Sequence, residues 1–205
     1  NKSIEEITEA LDSGRPYVIR FKSTGDHEQK KAVNDLILGE RILPENDQDI
    51  VIMKSDKLPT YHLAHVVDDH LMRTTHVIRG DEWLSSLPTH LQIFEAFDWE
   101  APAYSHIAPI QKIDGSSKRK LSKRKDPEAN VGYFEELGYP PDSVLEYLLN
   151  LANPNFEEWR KTHPQDDYRD FSLSFEGLQS SSGPIFDFNK LDFVSKDLIG
   201  RLSAE

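Results

Sequence analysis

Ile50-Val51-Ile52-Met53, then Pro59-Thr60-Tyr61-His62-Leu63-Ala64-His65-Val66-Val67-Asp68-Asp69-His70-Leu71, then His76-Val77-Ile78-Arg79-Gly80 is the stretch that decides the fold. The first apolar run reads as a strand. Behind Pro59, Leu63, Val66, Val67 and Leu71 align on one helical face, and His76 to Ile78 reads as a second strand. Further on, Leu87, Leu91 and Phe94 align on a helix starting near Pro88, and Tyr104 to Ile110 supplies a third strand. Strands alternating with helices about a dozen residues long predict βαβαβ, a parallel sheet with right-handed crossovers and half of a doubly wound α/β fold. Ligands of such sheets sit beyond the carboxyl ends of the strands. Arg79, Gly80 and Glu82 fall at one such end.

Upstream, Ser3 and Glu6 stand at capping-box spacing, Ile4, Ile7 and Leu11 share a helical face, and Gly14 ends the pattern. Tyr17 to Lys22 reads as a strand. Leu36 to Leu38, Gly39 and Ile42 to Pro44 read as strand, turn and irregular return, so a small α+β module is expected here. Downstream, Val131 to Leu137 and Pro141 to Ala152 read as helices joined by Gly138 and Pro140-Pro141, with Val144, Leu148 and Leu151 as an apolar stripe. An acidic stretch bearing Trp159 leads to a short helix around Leu173 to Leu178. A Ser180-Ser181-Ser182-Gly183-Pro184 turn and an amphipathic tail through Leu191, Val194 and Leu198 follow.

With 205 residues and 37% hydrophobic side chains, the chain has material for a substantial core. The absence of cysteine excludes disulfides and thiolate zinc sites and fits a reducing compartment. No apolar run approaches the roughly 18 residues of a membrane span, and no signal-peptide progression opens the chain. A soluble, cytoplasmic protein with no membrane partner is expected. Lys and Arg number 24 against 36 Asp and Glu, a formal net charge of -12. Against that balance, Lys118-Arg119-Lys120-Leu121-Ser122-Lys123-Arg124-Lys125 concentrates six cations. It is either a docking point for a polyanion or a solvated charged loop. The chain opens on Asn1 rather than methionine, which suggests a piece of a longer protein.

His62 and His65 with Asp68, Asp69 and His70 invite a metal reading, but their spacing matches no zinc signature and no metal site is expected. Arg79 offers a bidentate guanidinium for a carboxylate or phosphate, the alternative being an ion pair with Asp81, Glu82 or Asp69. Lys120 and Lys123 can reach one polyphosphate from a mobile loop, and Ser122 adds a hydroxyl and a tight turn without a base partner. No GxxxxGK[ST] or GxGxxG loop occurs.

Together these pieces resemble the glutamyl-tRNA synthetases, class I aminoacyl-tRNA synthetases whose second signature, written KMSKS, commonly appears in this branch as K-[LI]-S-K-R. Here it is Lys120-Leu121-Ser122-Lys123-Arg124. Pro59 to Ala64, Val66 to Met72, Val77-Ile78-Arg79-Gly80, Glu82-Trp83-Leu84 and Pro88 resemble the block that precedes it. Pro16 to Arg20, Gly183-Pro184, Phe186-Asp187 and Lys190-Leu191 extend the likeness over nearly the whole chain.

The resemblance implies three segments. Residues 1–55 would be part of the insertion that binds the tRNA acceptor stem, 56–117 the second half of the Rossmann catalytic domain, and 118–205 the signature loop and a mostly helical stem-contact region. It implies ATP-dependent activation of glutamate and transfer to tRNA, with Mg2+ as the counter-ion of ATP. Tyr61 and Arg79 would bind glutamate. Glu82 and the backbone at Ile110 would hold adenosine. Lys123 would contact the ATP phosphates, supported by Lys120, Ser122 and Arg124. The family's first signature, His-x-Gly-His, is missing, His65 stands where many relatives carry an amide, and Ser195 replaces a frequent asparagine. The isolated chain is therefore expected to be inactive and to self-associate through an exposed sheet edge. The competing readings are a non-catalytic RNA-binding module, the glutaminyl branch and a tRNA-modifying paralogue.

Overall fold

A computed structural model describes residues 2–175, 178 and 183–202. The chain divides into two compact units. The first comprises Asn1–Asn34, Glu40–Val77 and Trp83–Ala103, and the second Asp35–Gly39, Ile78–Glu82 and Tyr104–Glu205.

In the first unit, helix α1 (Ile4–Asp12) carries the expected capping box: the Ser3 N–H donates to Glu6 Oε2 at 2.8 Å and the Glu6 N–H to Ser3 Oγ at 3.3 Å. Its apolar face is uncovered among the described residues, with Ile4 79% exposed. Strand β1 (Ile19–Arg20) pairs antiparallel with β4 (Val51–Met53). Helix α2 (Tyr61–Met72) follows, and the Thr60 hydroxyl at its start donates to Val51 O at 2.9 Å. It packs against α3 (Leu87–Ala96), and Val66, Ile93 and Phe94 form a core with Phe21, Ile50, Ile52 and Trp99 around them. Leu71, expected on the buried stripe of α2, is 70% exposed.

Strands β2 (Lys30–Asp35), β3 (Gly39–Pro44), β5 (His76–Gly80) and β6 (Ala103–Ile107) form a four-stranded sheet in the order β3-β2-β6-β5. Strands β2 and β6 run parallel, with Asp35 opposite Tyr104. The expectation of a parallel sheet stands, but its first strand is corrected: β4 lies in the two-stranded antiparallel pair with β1, and β2 sits beside β6. Apolar alternation marks a strand without naming its partner, because pairing is non-local. Leu36 to Leu38, read as a strand, is instead the turn between β2 and β3. The Asp35 carboxylate accepts the Ile37 and Leu38 N–H groups at 3.0 and 2.8 Å, and this local competition closes the turn.

In the second unit, β7 (Gln111–Asp114) and β8 (Ser117–Lys120) form a tight hairpin. Gly115 at φ +61 supplies the left-handed residue of its two-residue turn. Helices α4 (Val131–Glu136), α5 (Pro141–Ala152), α6 (Asn155–Thr162) and α7 (Phe188–Arg201) follow. Phe134, Val144, Tyr147, Phe186, Leu191 and Val194 form their core. Leu148, expected on the apolar stripe of α5, is 39% exposed, and Tyr147 takes its place, its hydroxyl accepting the Asp187 N–H at 2.7 Å. Leu173 and Ser174 are not helical, and most of the expected Leu173–Leu178 helix, with Ser180 to Ser182 of the turn, lies outside the described residues. A β-carbon at Gly183 would collide with the Pro109 carbonyl oxygen, so glycine allows Gly183-Pro184 to approach that backbone closely. The Gln111 N–H then donates to Pro184 O, and the Phe186 N–H to Gln111 O, both at 2.8 Å.

Candidate functional site

The cation run is not one mobile loop. Lys118, Arg119 and Lys120 lie on β8, where the ladder to β7 orders them. Arg119 is neutralised locally: Nε donates to Asp114 Oδ2 at 2.6 Å, and Nη1 and Nη2 fork onto Asp126 at 2.6 and 2.8 Å. Asp126 also accepts the Ser122 N–H at 2.8 Å, while its own N–H and that of Lys125 donate to Ser122 O at 2.8 and 3.0 Å. A buried carboxylate thus ties the Ser122–Lys125 turn to the hairpin. Arg119, then the Ser122 N–H, hold its pKa well below the usual carboxylate range against burial. Lys123, Arg124 and Lys125 are exposed, make no ion pair among the described residues, and line a pocket of about 400 Å³ with Asp126, Asn130, Tyr133 and Glu136. Three unneutralised cations on a backbone-fixed turn suit a polyphosphate.

Lys120 turns away from them and pairs with Glu82, whose carboxyl is held low first by that lysine. The Leu121 N–H donates to Ile110 O at 2.9 Å. Glu82, Ile110, Lys120 and Leu121 are therefore brought together across long sequence separations. Arg79, at the end of β5, is half-buried. Its Nε donates to His106 Nε2 at 3.0 Å, and its guanidinium carbon lies 4.9 Å from the Tyr104 ring centre.

In the first unit, Tyr61 is 45% exposed at the start of α2, its ring 4.5 Å from Trp83 and stacked 5.6 Å from His65. The histidines that invited a metal reading differ in their polar and stacking partners, although the rings of His62 and His65 both meet His90, at 5.1 and 4.5 Å between centres. His62 Nδ1 lies 2.9 Å from His90 Nε2, His65 Nδ1 lies 2.6 Å from Asp69 Oδ2, and His70 stacks on Trp99 at 3.8 Å. Among the described residues no group of three or more acidic or imidazole side chains is arranged to hold a metal ion, and no helix is long and apolar enough to cross a membrane.

Sequence reasoning missed Asp126, Asp35 and His106. Asp126 had a weak signal, an acid directly after six cations. Asp35 and His106 lie 71 residues apart and had none.

The family described as tRNA synthetases class I (E and Q), catalytic domain, matches residues 1–192. The glutamate–tRNA ligase of Clostridium perfringens is 57% identical over 99% of this chain, and that of Clostridium beijerinckii 52% identical over 100%. The chain spans 37% of the length of each. Among solved structures, a glutamate tRNA ligase from Elizabethkingia meningosepticum in complex with its amino acid superposes with a TM-score of 0.77 at 28% identity, over 98% of this chain and 42% of that one. The glutamate–tRNA synthetase of Elizabethkingia anophelis superposes with a TM-score of 0.79 at 27% identity, over 98% of this chain and 43% of that one. The family match covers most of the chain, and the chain belongs to the class I tRNA synthetase family of the E and Q type.

Proposed function

We propose that this chain carries the KMSKS half of the activation site of a glutamate–tRNA ligase, a protein of the cytoplasm. In the reaction, a glutamate carboxylate oxygen attacks the α-phosphorus of ATP, the bond to the bridging oxygen breaks, and pyrophosphate leaves. The adenylate then passes its glutamyl group to the terminal ribose of tRNA, releasing AMP. In this reading Arg79 and Tyr61 hold the substrate glutamate. Glu82 and the Ile110 backbone hold adenosine, and Lys123, with Lys120, Ser122 and Arg124, stabilises charge building on the departing pyrophosphate. Mg2+ arrives with ATP as its counter-ion.

The observation that carries this reading is the Ser122–Lys125 turn. Its backbone is anchored by Asp126 and its outer cations make no ion pair among the described residues, which supports a positive field preorganised for charge on a leaving group. Lys120 joins that field once ATP displaces it from Glu82. Residues 1–55 serve as part of the acceptor-stem insertion, 56–117 as the second Rossmann half and 118–205 as the signature and stem-contact region. Strand β5 ends the sheet with Ile78 59% exposed, which supports self-association of the isolated chain through that edge.

The test is ATP–pyrophosphate exchange with glutamate and tRNA. It compares the chain alone with the chain placed in the matching segment of the Clostridium perfringens ligase. Exchange in the chimera but not in the isolated chain is expected. A correctly folded chimera that binds tRNA but does not exchange would refute the proposal.

A further inference from the structure

Beneath Arg79 lies a buried chain of polar groups that the proposed chemistry does not use. Asp35 and His106 are 1% and 0% exposed. Two charged or titratable side chains this deep are costly unless every polar atom has a partner. The Asp35 carboxylate accepts four N–H groups: Ile37 and Leu38 on Oδ1 at 3.0 and 2.8 Å, and on Oδ2 the His106 backbone at 3.1 Å and His106 Nδ1 at 2.6 Å. Burial alone would raise its pKa, but the Leu38 N–H, the imidazole and the remaining N–H groups together hold it below the ordinary value.

An Nδ1 donating to a carboxylate puts the imidazole proton on that nitrogen. The Nε2 lone pair is then the acceptor for Arg79 Nε at 3.0 Å. The tautomer is set from behind, by Asp35. With Nε held by His106 and the guanidinium lying over Tyr104, the plane and axis of the fork are defined at the end of β5.

We propose that Asp35 and His106 are positioning residues for Arg79: the Asp35–His106 pair fixes the imidazole tautomer that holds the guanidinium in the orientation a substrate carboxylate meets. The inference rests on the reading of Arg79 as the partner of glutamate. It places that orientation under the control of the β2–β3 turn, whose N–H groups anchor Asp35.

Three substitutions separate the contacts. His106→Asn keeps a donor near the Nδ1 position and loses the acceptor for Arg79. His106→Gln keeps an acceptor oxygen near the Nε2 position and loses the bond to Asp35. Asp35→Asn leaves both side chains in place, but its amide group must face an N–H on one side or the other. Relief by the other imidazole tautomer would set an Nε2–H against Arg79 Nε–H, as in serine-protease triads where the same exchange favours the wrong tautomer.

The variants are made in the Clostridium perfringens ligase carrying this chain as its matching segment. Glutamate and ATP dependence of pyrophosphate exchange are then measured with saturating tRNA. His106→Asn and Asp35→Asn should raise the glutamate KM about 10- to 100-fold, the scale of a misplaced substrate-positioning group. The ATP KM should stay within about twofold, and His106→Gln should fall between wild type and His106→Asn. In an Arg79→Lys background, which lacks the fork, His106→Asn should add less than about threefold. A purely structural role would lower thermal stability and shift both KM values together, and that result overturns the proposal. So does an unchanged glutamate KM in His106→Asn when Arg79→Lys alone raises it. If Arg79→Lys itself leaves glutamate dependence unchanged, the reading of Arg79 fails and takes the inference with it.

Discussion

Removing Glu146 should destabilise the second unit more than most single substitutions. This carboxylate is 2% exposed and joins three helices: Oε1 accepts Arg160 Nη2 of α6 at 2.9 Å, and Oε2 accepts Arg201 Nη2 of α7 at 2.8 Å. The side chains of Arg160 and Arg201 are only 9% and 13% exposed. Burial pushes the Arg160 guanidinium below its ordinary value, Glu146 opposes that, and the like charge of Arg201 adds to it. Glu146→Ala leaves Arg160 without the carboxylate it pairs with, while Arg201 keeps the half-exposed Asp197 at 3.1 Å, and breaking a buried pair in this way costs about 3–5 kcal/mol. At roughly 2–4 °C per kcal/mol for a chain of this size, the melting temperature should fall by about 6–20 °C. Glu146→Gln keeps the shape and one carbonyl acceptor and should lose about half as much, the scale of a single hydrogen bond to a charged group. Near-UV circular dichroism reports the transition, because Trp159 lies 4.8 Å beneath Arg160. A melting point lowered by less than about 2 °C in Glu146→Ala would show that water reaches the pair and would refute the reasoning.

For the proposed pyrophosphate contact, Lys123→Ala in the chimeric ligase should lower exchange about 10²- to 10³-fold with an unchanged melting point. A wild-type rate would remove Lys123 from that role. Asp126 and Asp35 both titrate below the usual carboxylate range in the folded chain, so the unfolded state binds more protons in acid. Their stabilisation is complete above the ordinary value of about 4 and is lost as pH falls through the lower folded values. Urea midpoints should change little from about pH 7 to 5 on account of these two groups and fall below about pH 4, and a midpoint insensitive to acid there would contradict both assignments. Tyr139 donates to Asp192, and that bond, with burial and the aspartate charge, pushes the phenol up to about 12. Its contribution is complete below about pH 10 and fades as pH rises through about 12. Ultraviolet titration should show the phenol returning toward about 10 in Asp192→Asn.

Much of the fold was legible because helices are local. The Ser3–Glu6 capping box, Pro88 at the start of α3 and the buried Leu191, Val194 and Leu198 of α7 all follow from spacings of three to four residues. Strand pairing was not legible. Ile50 to Met53 reads the same whether it joins a parallel sheet or, as here, an antiparallel pair with Ile19–Arg20. Leu36 to Leu38 has the composition of a strand, and one carboxylate at Asp35 makes it a turn.

The candidate site divides in the same way. By itself the sequence determined that six cations follow one strand–helix–strand block, and that Lys120 to Arg124 with Tyr61, Arg79 and Glu82 resembles one family, because residue type and order are written in the chain. Tertiary structure alone decided which cations remain unneutralised and what holds Arg79. Arg119 finds Asp126, Lys120 finds Glu82, and Arg79 reaches Asp35 through His106 across up to 71 residues. Charge–charge and hydrogen-bond energies depend on distances of a few ångströms, and folding sets those distances between residues that sequence order keeps far apart.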